Sequence, residues 1–360
     1  MTFRSLHSYE QLQYMYINTR SSIMFQYNWK NLSHRIICTF CFALAFLCFF
    51  NGCAPRQNGP VSKSDYLLNT VVTISIYEST NESKDTETIL DDCMTKCKEY
   101  ENLFSRTISG SDIHRINENA PDWVTVSEET TFLLKQALSY CALTNGLVDI
   151  TIAPVKDLWN FSQPQIATIP DTTILTNQLA HVNYQNVEIN KNQVCLTDEK
   201  ASLDLGFIAK GYIADRLKEY LISQDVTSAI INLGGNVLTI GSKNGTPFTV
   251  GIQKPFADNG IALMSVNNLD SSVVTSGIYE RYFSIDDKIY HHILTPSTGF
   301  PVDNELLSVT ILSKDSVTGD ALSTSCLLLG LDKGKELIES KEGVEAIFVT
   351  KDYEIIKTYK

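Results

Sequence analysis

Asp320 and Thr324 stand four residues apart in "GDALSTS" (residues 319–325), a spacing that puts a carboxylate and a hydroxyl on one face of a helix. Oxygen donors without sulfur or imidazole suit Mg²⁺ rather than zinc. A helix cap would use the same residue types. "LDLGFIAKG" (203–211) sets an acid, glycines and Lys210 around a helix start, where backbone amides favour anions and a lysine can meet a phosphate. Walker spacing is missing, so this is not a P-loop, and a strand-to-helix turn with a solvated lysine fits as well. "INLGGNV" (231–237) ends a strand in paired glycines, which serve a close backbone approach or an ordinary hairpin turn. In "HHILTPSTGFPV" (291–302), the adjacent His291 and His292 would point to opposite faces of a strand and cannot easily share one metal.

These residues need elements to hold them. "YLLNTVVTISIY" alternates as a strand, and "ETILDDCMTKCKEYENLF" puts Ile89, Cys93, Cys97, Tyr100 and Phe104 on one helical face. "SRTISGSDIHRINENA" reads as a loop, and "TTFLLKQALSYCALTNG" as a helix stopped at Gly146. "VDITIAPV" reads as a short strand, followed by a polar connection through residues 161–195. Ile208, Tyr212, Ile213, Leu217 and Leu221 form a helical stripe after Gly206. Then come strand-like runs "SAIINL", "FTVGI", "SVVTS", "LSVTIL" and "EAIFVT", with a helix near "ALSTSCLLLG". Strands and helices intermingle without regular alternation, which favours α+β over a doubly wound parallel sheet.

The chain has 360 residues, 43% of them hydrophobic, enough for a substantial core. A formal net charge of -12 argues against an electrostatic nucleic-acid footprint. The apolar run "IICTFCFALAFLCFF" (36–50) follows Lys30, His34 and Arg35 and suits a signal-peptide core better than a transmembrane helix. "NGCAP" after it resembles the end of a bacterial lipoprotein signal, with Cys53 as the lipid site. The expected organisation is an upstream extension over 1–23, a lipoprotein-type signal peptide over 24–52, a tether over 53–64 and one domain over 65–360. Cys93, Cys97, Cys141, Cys195 and Cys326 show no zinc spacing and read as buried thiols.

Taken together, "LLNTVVTI", "FSRTISGSDIHRIN", "GLVDITIAPV", "LDLGFIAKGYIAD", "INLGGNV", "TSGIYERYF", "HHILTPSTGFPV" and "SVTILSKDSVTGDALST" follow the motif order of the ApbE family, the FAD:protein FMN transferases. The resemblance covers roughly residues 65 to 350 and implies an α+β fold of mixed or antiparallel sheets with packed helices and an FAD cleft between sub-domains. It also implies a Mg²⁺-dependent reaction outside the cytoplasmic membrane. FAD is cleaved there, FMN passes to a Thr or Ser hydroxyl of an extracytoplasmic flavoprotein, such as a membrane redox subunit, and AMP leaves.

Carried over by position, the resemblance makes the Asp320 carboxylate, the Thr324 hydroxyl and the Phe207 carbonyl the metal ligands, with Ser323 where some relatives have a second Asp. The FAD contacts would be Leu68, Leu147, Val148, Asp149, Asp204, Lys210, His292 and Ile293. His292 matches the reactive-site histidine, and Asp320 joins it in catalysis. The family's Met-Gly-Thr is here Leu68-Asn69-Thr70. A Mg²⁺-dependent FAD pyrophosphatase and a lipoprotein that only carries FAD are the competing readings.

Overall fold

Two strands joined by the shortest of turns open the fold. β1 (Val61–Leu67) and β2 (Thr70–Ser79) pair antiparallel from Leu67↔Thr70 outward. Leu68 and Asn69 between them both have φ of 56°, the left-handed pair that a two-residue hairpin turn demands. Asn is the side chain that best tolerates this region after Gly, so Asn69 meets the backbone requirement of the family's glycine. Val72, Ile74 and Ile76 alternate inward to the core.

The computed structural model describes residues 59–161, 163–258 and 260–359. The signal segment, its apolar run and Cys53 lie outside them. Pro60–Lys360 forms one contact unit. Because β1 begins at Val61, the segment expected to tether the domain through residue 64 ends earlier and contributes an edge strand.

After β2 the chain runs through α1 (Thr86–Phe104), α2 (Asp112–Glu118), β3 (Val124–Thr125), α3 (Glu128–Leu143), α4 (Ala153–Trp159), α5 (Thr172–Leu179), β4 (Val187–Asn190), β5 (Gln193–Leu196) and α6 (Ala209–Ser223). It continues as β6 (Val226–Leu233), β7 (Asn236–Ile240), β8 (Phe248–Gln253), β9 (Ala262–Asn268), β10 (Ser272–Gly277), β11 (Tyr282–Ile285), β12 (Lys288–His291) and β13 (Leu306–Ser313). It ends with α7 (Ser316–Leu329), α8 (Leu331–Glu339), β14 (Glu345–Thr350) and β15 (Ile355–Lys357). The main sheet has the order β1-β2-β6-β7-β10-β13-β14-β15, with every pairing antiparallel. This is the α+β architecture expected.

Three local readings are corrected. The presumed loop after Phe104 contains α2, begun by Ser111 Oγ accepting from His114 N at 3.1 Å; seven residues are too few to display a helical stripe. "VDITIAPV" is a turn running into α4, with Pro154 in the first helical turn where its missing N–H costs nothing. The stretch 161–195 holds α5, capped by Asp171, and the β4–β5 hairpin. The cysteines follow expectation: Cys93, Cys97, Cys141, Cys195 and Cys326 are free and buried, and burial pushes the thiols of Cys93 and Cys97 up to about 12.

α6 and α7 cross closely on the sheet. Gly211 makes this crossing possible, because a Cβ there would collide with the Ser316 carbonyl and come within 2.7 Å of Asp320 Cβ. Asp215, one turn further along α6, accepts from Ser316 N at 2.8 Å and Val317 N at 2.9 Å. A carboxylate from one helix thus caps the other, and burial raises its pKa to about 6 despite those donors. Gly211→Ala should lower stability by about 1–3 kcal/mol; an unchanged urea midpoint would contradict this close packing.

Candidate active site

The cleft opens between the main core and a smaller aromatic cluster of Val155, Trp159, Leu175, Phe283, Tyr290 and Leu294. Trp159 Nε1 donates to Gly299 O at 2.8 Å and fixes this cluster against the turn after the histidines. The cavity measures about 570 Å³. Leu68, Leu147, Val148, Asp149, Asp204, Phe207, Lys210, His292, Ile293, Asp320 and Thr324 all line it. Residues from the β1–β2 turn to the middle of α7 therefore meet on one surface.

Asp320 is buried, and its Oδ2 accepts from Gly211 N at 2.8 Å. Lys210 Nζ stands 3.8 Å from its other oxygen. Burial raises the Asp320 pKa against the pull of Lys210 and the neighbouring amides, so the carboxylate is short of positive charge. Gly211 N–H is the group that would close the first helical turn onto Phe207 O. Turned to Asp320 instead, it leaves Phe207 O without a hydrogen-bond partner among the described residues. Thr324 lies one turn beyond Asp320, and its hydroxyl is 3.0 Å from Ser276 Oγ. A carboxylate, a hydroxyl and an open carbonyl are the hard oxygen donors a divalent cation takes. Ser323 is buried, its Oγ donating to Asp320 O at 2.9 Å and lying 2.8 Å from Ser276 Oγ. Among the described residues no three His, Cys, Asp or Glu side chains gather as a metal cluster.

The two histidines part where the strand ends, His291 closing β12 and His292 lying just beyond it. His291 is buried, its Nε2 3.1 Å from Val302 O, and holds the turn. His292 is half-buried in the cleft wall, with Nδ1 3.3 Å from Arg281 O. A carbonyl only accepts, so Nδ1 carries the proton and Nε2 keeps its lone pair. Burial, Lys156 and Arg281 push the His292 pKa down to about 3, and burial pushes His291 down to about 4. Both rings are neutral at pH 7.

Other assigned residues are engaged within the protein. Asp149 accepts from Thr151 N at 2.8 Å, Thr151 Oγ1 at 2.6 Å and Tyr184 N at 2.9 Å, which ties the turn before α4. Leu68 N donates to Glu101 Oε1 at 2.8 Å. Asp204 Oδ1 accepts from Gly206 N at 2.8 Å, while its Oδ2 meets Lys156 Nζ at 2.8 Å and Arg106 Nε at 3.1 Å. Burial alone would raise Asp204, but Lys156 and Arg106 hold its carboxyl well below the usual range.

Arg106, Lys156, Arg281, Ser276 and Asn236 also line the cavity, and sequence reasoning gave them no role. Arg106, Ser276, Arg281 and Asn236 fall inside the recognised motifs; Lys156, on the short α4, had no signal. Asn236 Oδ1 accepts from Ser316 Oγ at 2.5 Å, and its buried Nδ2 has no hydrogen-bond partner among the described residues.

The pattern of the ApbE family matches residues 68–348. The chain belongs to the ApbE family. It is 41% identical over 262 residues to an FAD:protein FMN transferase of Klebsiella pneumoniae, covering 72% of this chain and 81% of that one. A second FAD:protein FMN transferase, from Treponema pallidum, is 29% identical over 327 residues, covering 86% and 90%. The solved ApbE protein of Thermotoga maritima superimposes with a TM-score of 0.76 at 32% identity, over 83% of this chain and 97% of that one. The flavin transferase ApbE of Vibrio cholerae gives 0.72 at 26% identity, over 83% and 96%.

The depressed histidines have a stability consequence. An unfolded histidine takes up a proton below its ordinary value of 6.5, whereas the folded rings resist until about 4 and 3. Their contribution is therefore present above 6.5 and lost as pH falls. Between pH 7 and 5 the wild type should lose more stability in urea unfolding than His292→Gln; equal losses would show that the ring is not desolvated.

Proposed function

We propose that this ApbE-family protein is a Mg²⁺-dependent transferase that moves FMN from FAD to a Thr or Ser hydroxyl of a target flavoprotein. The observation that carries the reading is the convergence, in one cleft, of an undercompensated Asp320 and an open Phe207 carbonyl with His292, Lys156 and Arg281. The names of the relatives support the same reaction.

In chemical terms, the acceptor oxygen forms a bond to the FMN phosphorus of FAD, the bond from that phosphorus to the bridging oxygen breaks, and AMP leaves. Asp320, Thr324 and the Phe207 carbonyl would hold Mg²⁺. The bound cation would neutralise pyrophosphate charge as the bond breaks. His292 presents Nε2 as the group that takes the acceptor proton. Burial, Lys156 and Arg281 keep it a weak base; the negative charge of a bound pyrophosphate would offset those two cations and raise its basicity. Positioning of this kind, more than covalent chemistry, is what phosphoryl transfer asks of a protein.

The domain is proposed to work on the extracytoplasmic face, anchored through a lipid on Cys53, with a membrane redox subunit as acceptor. The lipoprotein-like start of the sequence supports that placement.

The test is incubation of the protein with FAD, Mg²⁺ and a candidate acceptor domain, followed by intact-mass analysis and an AMP assay. The expected result is an acceptor mass gain equal to an FMN phosphodiester with matching AMP. Asp320→Ala should abolish transfer and its response to Mg²⁺, and His292→Ala should slow it by about 10²- to 10⁴-fold. FMN and AMP with an unmodified acceptor would replace the reading with a pyrophosphatase. Tight FAD with no turnover would replace it with a carrier.

A further inference from the structure

Four charged side chains interlock on the wall of the cleft formed by α4, the loop after α1 and the loop before α6. Arg106 meets Asp157 through Nη1 at 3.1 Å and Nη2 at 2.5 Å, and its Nε reaches Asp204 at 3.1 Å. Each of its nitrogens is thereby engaged. Lys156 is different: an ammonium carries three N–H groups, and Asp204 Oδ2 is its hydrogen-bond partner at 2.8 Å. The lysine is about a quarter exposed, at 24% of its side-chain surface, and lines the cavity. It keeps N–H groups to offer a ligand. Arg281 lies across His292, bound to it through the main chain with His292 N donating to Arg281 O at 3.1 Å.

We propose that Lys156 is a ligand-contacting residue that binds the phosphate portion of the substrate beside His292, and that Asp204 is a positioning residue acting through Lys156. This rests on the flavin-transfer reading above, and it gives Asp204 a different role from the direct contact implied by family resemblance. Asp204 is itself anchored by Gly206 N–H at 2.8 Å and by its own amide donating to Ile150 O at 2.7 Å. Arg106 braces the carboxylate from the far side. The ammonium is therefore aimed by a fixed anion rather than left to its flexible stem. A lysine holding one phosphate oxygen in place limits the substrate to flavins that carry a phosphate.

The experiment titrates FAD and riboflavin, which shares the ring but lacks phosphate, into wild type, Lys156→Gln, Lys156→Arg, Asp204→Asn and the double variant Lys156→Gln/Asp204→Asn. Flavin fluorescence at low and high salt gives the readout. Lys156→Gln should weaken FAD by about ten- to a hundredfold, the worth of a charge-assisted hydrogen bond, and flatten its salt dependence. Riboflavin should be unaffected, and Lys156→Arg should keep the salt dependence and so show that the fold is intact. Asp204→Asn should weaken FAD, and the double variant should bind no worse than Lys156→Gln alone. Parallel loss of both flavins, or no loss of FAD, in Lys156→Gln would overturn the assignment while a wild-type preference for FAD leaves the transferase reading standing. Additive losses in the double variant would overturn the positioning role and return Asp204 to direct contact. A wild type that binds riboflavin as tightly as FAD would bring down the functional reading and this inference together.

Discussion

The crossing of α6 over α7 at Gly211 is the contact on which the rest of the site depends. It lets the Gly211 amide reach Asp320 Oδ2 at 2.8 Å, and that single hydrogen bond has two effects. It fixes the carboxylate in a buried position, and it leaves the Phe207 carbonyl without a hydrogen-bond partner among the described residues. The same two helices are joined again when Asp215 caps Ser316 and Val317. A side chain at residue 211 would push the helices apart and break the contact between the Gly211 amide and Asp320. The sheet under them supplies the remaining pieces: β10 brings Ser276 to the Thr324 hydroxyl, and the β1–β2 turn closes the far rim. Gly234, with φ of 64°, sits so near Thr70 that no larger residue fits, which keeps that turn close to the cleft.

The electrostatics of the cleft run against those of the whole chain. A protein of formal net charge -12 has gathered Arg106, Lys156, Lys210 and Arg281 around one cavity. Composition alone excludes a broad anionic partner such as nucleic acid, but it says nothing of a local cradle a few residues wide. The acids of the cleft mostly serve the protein: Asp149 ties a turn, Asp204 and Asp157 aim cations, and Glu101 holds the Leu68 amide. Asp320 is one of three cleft carboxylates, with Asp149 and Glu280, whose burial outweighs its compensation, and it is the one that lies at the helix crossing.

Much of the site was legible in the sequence because its chemistry sits in short, contiguous signals. Asp320 and Thr324 one helical turn apart, Lys210 beside glycines and His292 before a turn all reach the same cavity. That His291 and His292 would not share one role was expected from strand alternation, although His292 lies just past the end of β12. The fold class was legible from intermingled strands and helices, and the stripe from Ile208 to Leu221 came out buried as its spacing required. What escaped were relations between distant segments. Asp215 looks like a solvated residue on α6, because its partners are amides of a helix a hundred residues away. Lys156 lies on a seven-residue helix that reads as strand until Pro154 is recognised as a helix start. α2 was hidden for the same reason of length. Asn69 is the converse case: a departure from the family's glycine that the left-handed backbone accommodates.

The claim that the helix crossing builds a cation site facing the phosphate end of the substrate is tested most directly by magnetic resonance with Mn²⁺ in place of Mg²⁺. Electron–nuclear double resonance on the protein with Mn²⁺ and FAD should show ³¹P coupling to the metal, and Asp320→Ala should abolish it. A metal that binds without ³¹P coupling, or coupling that survives the loss of Asp320, would contradict the account.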